Sequence, residues 1–214
     1  MKEYHKIQTV YKRDPETKFK NLLDGDYSMP EFEYLEDTQW LWTEKIDGTN
    51  IRVIWHGGDN ITFEGKTDNS QIQTILYKKL QQSFTKERFE MAIDYEPDSN
   101  ICLYGEGYGA KIQKSGGNYI SDGVDFILFD VKIDDWWLKW EDVKDIANKL
   151  KILHVPIVGE GTLLEGVELV ENTFHSIFGT FNAEGLVMRP KIDLFTRRGD
   201  RIITKIKTKD FKRV

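Results

Sequence analysis

A single cysteine, Cys102, stands in a chain of 214 residues. No internal disulfide can form, and no cysteine-based zinc site can be assembled. Cys102 lies in the apolar run Ile101-Cys102-Leu103-Tyr104, where a buried structural thiol is expected. The histidines are His5, His56, His154 and His175, and none stands at metal-ligand spacing from another. No stretch approaches about 18 consecutive apolar residues, and Met1-Lys2-Glu3-Tyr4-His5 carries no apolar signal region. A soluble, cytoplasmic protein that makes no use of a membrane is therefore expected. Internal repeats and low-complexity linkers are also missing. Neither a GxxxxGK[ST] loop nor a GxGxxG helix start occurs, so phosphate binding by those routes is unsupported.

What is present suffices for a real core: 39% hydrophobic residues, with 6 Trp, 9 Tyr and 12 Phe. The net charge of -6 argues against a nucleic-acid partner until its distribution is considered. Residues 186–214 hold ten Lys/Arg against three Asp/Glu, a local charge of +7 on an otherwise acidic chain. Such a segment can track a phosphate backbone, although it also fits a solvated strand and tail. The N-terminal Lys6, Lys12, Arg13, Lys18 and Lys20 are a second candidate path for a polyanion. Trp136-Trp137 suits either a stacking platform for bases or packing against a helix, with packing the expected role.

Short strands and helices mix along the chain, which indicates an α+β fold. Strands are expected at 41–43, 51–55 and 61–64, the last two joined by a Gly57-Gly58-Asp59-Asn60 turn. Residues 71–93 predict a helix with Ile72, Ile75, Leu76 and Leu80 on one face. Buried strands are expected at 101–104 and 126–131. An amphipathic helix is predicted at 140–150 through Trp140, Val143, Ile146, Ala147 and Leu150. A further helix is expected at 166–178, with final strands at 185–189 and 201–206.

The segment Thr43-Glu44-Lys45-Ile46-Asp47-Gly48-Thr49-Asn50 joins two strand-like stretches, which puts Lys45 at a strand end or tight turn. Gly48 would let the backbone approach a ligand closely. A lysine attacks phosphorus only as a neutral amine, and an ordinary lysine with a pKa of about 10.4 is seldom neutral near pH 7. A carboxylate beside the amine works against deprotonation, so Glu44 and Asp47 help only if they face a nucleotide or a metal. By itself, Lys-x-Asp-Gly also describes a surface turn with a salt bridge.

Five further segments follow in order. They are Phe63-Glu64-Gly65-Lys66-Thr67, Leu103-Tyr104-Gly105-Glu106-Gly107, Phe126-Ile127-Leu128-Phe129-Asp130-Val131, Ala183-Glu184-Gly185-Leu186-Val187-Met188-Arg189 and Thr204-Lys205-Ile206-Lys207. Strand alternation would put Phe129 on the opposite face from Phe126, Leu128 and Asp130. It would put Lys205 and Lys207 on one face, about 7 Å apart. Two ammonium groups so placed could hold a phosphate and neutralise transition-state charge. Together the segments resemble the covalent nucleotidyltransferase superfamily of ATP-dependent ligases and capping enzymes. They are most similar to the bacteriophage-type ATP-dependent RNA ligases.

The resemblance implies the ATP-grasp-like nucleotidyltransferase fold of DNA and RNA ligases, with antiparallel sheets flanked by helices. One adenylyltransferase domain over 1–214 is expected, which departs from larger relatives in stopping at the Lys-x-Lys motif, without an OB-fold or C-terminal appendage. ATP and Mg²⁺ or Mn²⁺ are the implied cofactors. Lys45 would form a phosphoramidate with AMP, and Glu106, Glu184, Lys205 and Lys207 would complete the catalytic set. Glu44 would read the adenine amino group, with Asp47 and Gly48 beside the nucleotide. Asn50 would lie near the ribose or the 3′-OH end, and Phe129 would stack on adenine. Glu106 and Glu184 would be metal ligands. Lys66 stands where the family usually has arginine, so the bidentate contact an arginine offers is replaced by a point charge. The implied partner of a monomeric enzyme is a polynucleotide with 5′-phosphate and 3′-OH ends, RNA before DNA. The alternatives are a minimal DNA ligase, a GTP-using capping enzyme, which the TEKIDGTN context disfavours, and a non-catalytic nucleic-acid-binding module.

Overall fold

The computed structural model describes residues 3–94 and 99–211. The first strands are β1 (Gln8–Thr9), β2 (Tyr11–Arg13) and β3 (Leu22–Tyr27), followed by helix α1 (Pro30–Tyr34) and strand β4 (Trp40–Glu44). Next come β5 (Thr49–Trp55), β6 (Ile61–Glu64), α2 (Thr74–Ser83), α3 (Lys86–Ala92), β7 (Ile101–Gly109), α4 (Gly116–Tyr119) and β8 (Val124–Ile133). The chain continues through β9 (Trp136–Trp137), α5 (Trp140–Leu150), β10 (Leu153–His154), β11 (Ile157–Gly161) and α6 (Leu163–Glu171). It closes with β12 (Gly185–Pro190), β13 (Thr204–Lys207) and a 3₁₀ turn at Thr208–Phe211. No helix among the described residues is long and apolar enough to cross a membrane.

The chain forms two compact units. The first comprises residues 1–4 and 47–155, and the second residues 5–46 and 156–214. In the first unit the sheet runs β10-β8-β7-β5-β6, with β9 paired to β8. Its long central pairings, β5 with β7 and β7 with β8, are antiparallel. Ile51, Val53 and Trp55 of β5 are buried, and Trp55 stacks on Phe89 of α3. The expected helix at 71–93 is broken: α2 ends at Phe84, which turns extended, and Thr85 begins α3. Phe84 is buried there among Phe63, Phe89 and Phe126, so tertiary packing overrides helical periodicity. Helix α5 has the bounds expected of it and buries the expected face.

In the second unit the sheet runs β1-β13-β12-β4-β11. Its core gathers Trp40, Trp42, Leu186, Met188 and Ile206 with Leu163, Val167 and Val170 of α6. Helix α6 begins earlier than the expected 166–178. Thr162 and Glu165 form a reciprocal capping box, and the helix ends at Asn172. The expected strand at 201–206 starts late, because Arg201 pairs with Phe195 to close a hairpin before β13 begins.

Candidate active site

The second unit brings Lys45, Glu184 and Lys207 together through strand register. Leu186 of β12 pairs with Glu44 on one side and Ile206 on the other. One step along, the amide of Lys45 donates to the Gly185 carbonyl at 2.9 Å, and Gly185 pairs with Lys207. Lys45 and Lys207 therefore flank β12, about 10 Å apart across two strand spacings. Glu184, the residue before Gly185, fills the gap. Its Oε2 accepts from the Lys45 Nζ and its Oε1 from the Lys207 Nζ, each at 2.7 Å. Burial pushes the Glu184 carboxyl up, but Lys45 and Lys207 outweigh it and hold it below the ordinary glutamate value.

Gly185 is essential to this arrangement. Its φ is +151°, and a Cβ there would lie 2.1 Å from the Ile206 carbonyl oxygen. Alternation along β13 leaves Lys205 and Lys207 half-buried on one face while Thr204 and Ile206 are buried on the other, as expected. Lys205 pairs with Val187 and Thr9.

The carboxylates nearest Lys45 in sequence, Glu44 and Asp47, have partners of their own. Glu44 shares the core face with its register neighbour Leu186 and is 1% exposed. Its Oε1 accepts from the Ser176 hydroxyl at 2.6 Å and its Oε2 from the Ile177 amide at 2.9 Å. Both oxygens thus have internal partners. Burial pushes the Glu44 carboxyl up, and the Ser176 and Ile177 donors offset part of that rise. Asp47, in the first unit, accepts from the Ser115 hydroxyl, and its amide donates to the Tyr119 oxygen. The carboxylate bonded to the Lys45 ammonium is Glu184, which is remote in sequence.

The first unit gathers the remaining candidates. Asn50 and Glu106 face each other across β5 and β7. The Asn50 Oδ1 is buried with no hydrogen-bond partner among the described residues, an orphan that calls for an outside donor. A Cβ on Gly48 would lie 2.3 Å from the Gly107 carbonyl oxygen and 2.7 Å from the Glu106 Cγ. The glycine therefore serves close packing on β7. Strict alternation fails at Phe129. The β7–β8 register shifts there, and Tyr4 meets both Phe129, ring to ring at 5.1 Å, and Asp130, through its hydroxyl at 2.7 Å. The expectation that Phe129 and Asp130 point to opposite faces is corrected by this bulge. Trp137 joins Tyr4 and Tyr104 on the sheet, not on a helix, and Trp136 is 78% exposed.

Lys66 is exposed on the turn after β6, and sequence reasoning missed what fixes that turn. Arg52 is wholly buried, and its guanidinium donates to the Gly65 carbonyl at 3.1 Å and to Asp68 at 2.8 Å, and pairs with Glu64 at 2.9 Å. An arginine inside the apolar strand segment Ile51–Trp55 was the available signal. Ser176 gave none, since its partner Glu44 is distant in sequence, and neither did the pairing of Asp210 with the distant Arg13, although Asp210 lies only three residues from its other partner, Lys207. Among the described residues no three His, Cys, Asp or Glu side chains gather to hold a metal. Glu106 and Glu184 belong to different units, and both Glu184 oxygens are engaged by ammonium groups. The residues present do not make a protein-built metal cage.

These strand ends, with a lysine nucleophile candidate beside a Glu-Gly strand and a Lys-x-Lys strand, define a nucleotidyltransferase-type α+β fold. The sequence profile of the RNA ligase family matches residues 38–207, and the chain belongs to that family. No curated protein matches it in sequence. Among solved structures, a mutant of the Naegleria gruberi RNA ligase with ATP and manganese is similar at a TM-score of 0.68 and 18% identity, covering 97% of this chain and 56% of that one. The Naegleria gruberi enzyme with pyrophosphate is similar at 0.64 and 19% identity, covering 96% and 57%. A further mutant with AMP and manganese is similar at 0.63 and 18%, covering 96% and 57%. The chain thus spans a little over half the length of these structures.

Proposed function

We propose that the chain is an ATP-dependent RNA ligase in which Lys45 takes up AMP, passes it to a 5′-phosphate end and so activates that end for sealing to a 3′-OH. The observation that carries this reading is the Lys45–Glu184–Lys207 arrangement at the ends of β4, β12 and β13. It sets a nucleophile and a phosphate-binding cation around one carboxylate, inside a family of RNA ligases.

The lowered pKa makes Glu184 a weak base, so its role is to hold the two amines in register. An incoming triphosphate competes with Glu184 for Lys207, whose ammonium turns to the α-phosphate with Lys205 on the same face. Lys45, released from its carboxylate and having given its proton to solvent, attacks the α-phosphorus through its amine lone pair. The bond to the β-phosphate oxygen breaks, and pyrophosphate leaves. A divalent ion, held mainly by triphosphate oxygens and water, would supply further charge neutralisation. We assign Asn50 and its orphaned oxygen to a ribose hydroxyl, and Phe129 to the adenine face. Glu106 and Lys66 complete the nucleotide and end-binding set, with Asp47 and Gly48 shaping the entry to β5. The motifs are divided between the two units. We place the enzyme in the cytoplasm as a monomer, where a lone buried thiol suits the reducing conditions.

A sealing assay tests the reading. Nicked duplexes whose 3′-OH and 5′-phosphate strands are RNA or DNA are incubated with ATP and Mg²⁺. Faster sealing of the RNA nick is expected. Equal or preferred sealing of DNA would identify a DNA ligase, and no sealing of either would leave a binding module.

A further inference from the structure

The hairpin between β2 and β3 presents an unusual tip. Lys18 and Phe19 are consecutive residues at φ +54° and +60°. A left-handed pair is costly for side chains that carry a Cβ, and a bulky aromatic is rarely found there. Phe19 is also 61% exposed, with Lys18 and Lys20 exposed on either side. A strained backbone that holds an apolar ring in solvent gains nothing for the fold.

The tip is nevertheless firmly built. The Phe19 amide donates to the Asp14 carbonyl at 2.9 Å, that of Lys18 to Pro15 at 3.0 Å and that of Asp14 to Asn21 at 3.0 Å. Arg13 donates to the carbonyls of Phe19 and Lys20 from below, each at 3.4 Å. The same guanidinium pairs with Asp210 at 2.8 Å, and that carboxylate is 1% exposed. The other Asp210 oxygen accepts the amide of Lys207 at 3.1 Å. One buried carboxylate thus anchors both the tip and the backbone of the lysine assigned to phosphate. Of the other charges on the hairpin, Lys12 is paired with Asp26, and Asp14 receives the Glu16 amide. Glu16, Asp24 and Asp26 are the exposed acids of the hairpin.

We propose that Lys18-Phe19-Lys20 is a polynucleotide-binding tip that stacks an unpaired base on Phe19 and holds the flanking phosphates with the two lysines. An exposed ring bracketed by cations is the element by which proteins grip single strands without reading their sequence. The link through Asp210 ties the tip to the β13 strand end, so the partner is the strand being sealed. In that respect the inference rests on the ligase reading. An acidic protein segment would use the lysines alone and would leave the ring and its strained support without a role.

The test is binding of a fluorescent single-stranded oligoribonucleotide containing 2-aminopurine to the full chain, without ATP. Stacking on the tip quenches the 2-aminopurine. Phe19→Ala is expected to weaken binding on the order of 5- to 100-fold and abolish the quench, while Phe19→Trp restores both. Lys18→Ala with Lys20→Ala is expected to flatten the slope of log affinity against log salt by about 1.4, two single-strand phosphates. Tyr34→Ala, which removes a ring 89% exposed on α1, leaves binding unchanged. Wild-type binding or quenching retained by Phe19→Ala would overturn the proposal, as would an equal loss in Tyr34→Ala. Labelling of the wild-type chain by ATP reports separately on the ligase reading, since no oligonucleotide is needed for it.

Discussion

Replacing Glu184 by Gln keeps the shape of the residue between Lys45 and Lys207 and removes its charge. Two ammonium–carboxylate hydrogen bonds of 2.7 Å are affected. Each bond of this kind contributes about 1.5–3 kcal/mol. The amines are 20% and 19% exposed, so water recovers part of the loss, and the amide oxygen still serves one lysine. A net cost of about 2–4 kcal/mol at pH 7 remains, or a fall in Tm of roughly 5–15 °C for a chain of this size. The cost also depends on pH. Glu184 is held below its unfolded value of about 4.3, so its contribution is fully present above that pH and fades as pH falls through the lower folded value. Urea unfolding of wild type and Glu184→Gln is expected to show a gap that narrows over the range from pH 7 down to below about 4.3. A gap of the same size at both ends of that range would refute the reasoning, as would no gap at pH 7.

Arg52→Leu removes the clamp on the turn that carries Lys66. Glu64 and Asp68 can reach water, so a cost of about 1–3 kcal/mol is expected, with faster tryptic cleavage after Lys66. Unchanged cleavage would mean that the Thr67–Ser70 hydrogen bonds fix the turn unaided. Ser176→Ala leaves one oxygen of the buried Glu44 without its donor, at about 1–3 kcal/mol. Glu44 has a raised folded pKa, so its contribution is present below the unfolded value and lost as pH rises. The variant's deficit in urea midpoint should therefore be larger at pH 8 than at pH 5. Gly185→Ala forces a Cβ against the Ile206 carbonyl and is expected to cost about 4 kcal/mol or more. Gly58→Ala, where a Cβ meets nothing within 4 Å, should cost only about 1–2 kcal/mol for its left-handed backbone. Comparable thermal melts for the two would count against the close β12–β13 packing.

Local order was legible in the residues where one force dominates. The apolar stripe of Trp140–Leu150 defined α5 because nothing interrupts its period. The Lys-x-Lys face followed from strand alternation alone. The helix at 71–93 failed at Phe84, where a buried aromatic cluster pays more than helical continuity. The start of α6 was legible but missed, since Thr162 and Glu165 form a capping box in plain sequence. Phe129 was misread because a bulge in β8 follows from pairing with β7, which one strand's pattern does not reveal. The site divides in the same way. Lys45, Glu184 and Lys207 were found as separate motifs, and only register across β4, β12 and β13 shows that one carboxylate holds both amines. Glu44 ends β4 with its side chain buried, and its partners Ser176 and Ile177 lie far along the chain, where no local pattern links them to it.

The most direct test of Lys45 as the nucleophile is labelling of the protein with α-labelled ATP and Mg²⁺, followed by gel and intact mass, with Lys45→Ala alongside and GTP as a second nucleotide. The account expects an AMP adduct from ATP on the wild type and none on the variant. An adduct that persists in Lys45→Ala would contradict the assignment. A wild type that stays unlabelled, or that takes GMP instead, would contradict the ATP-dependent ligase.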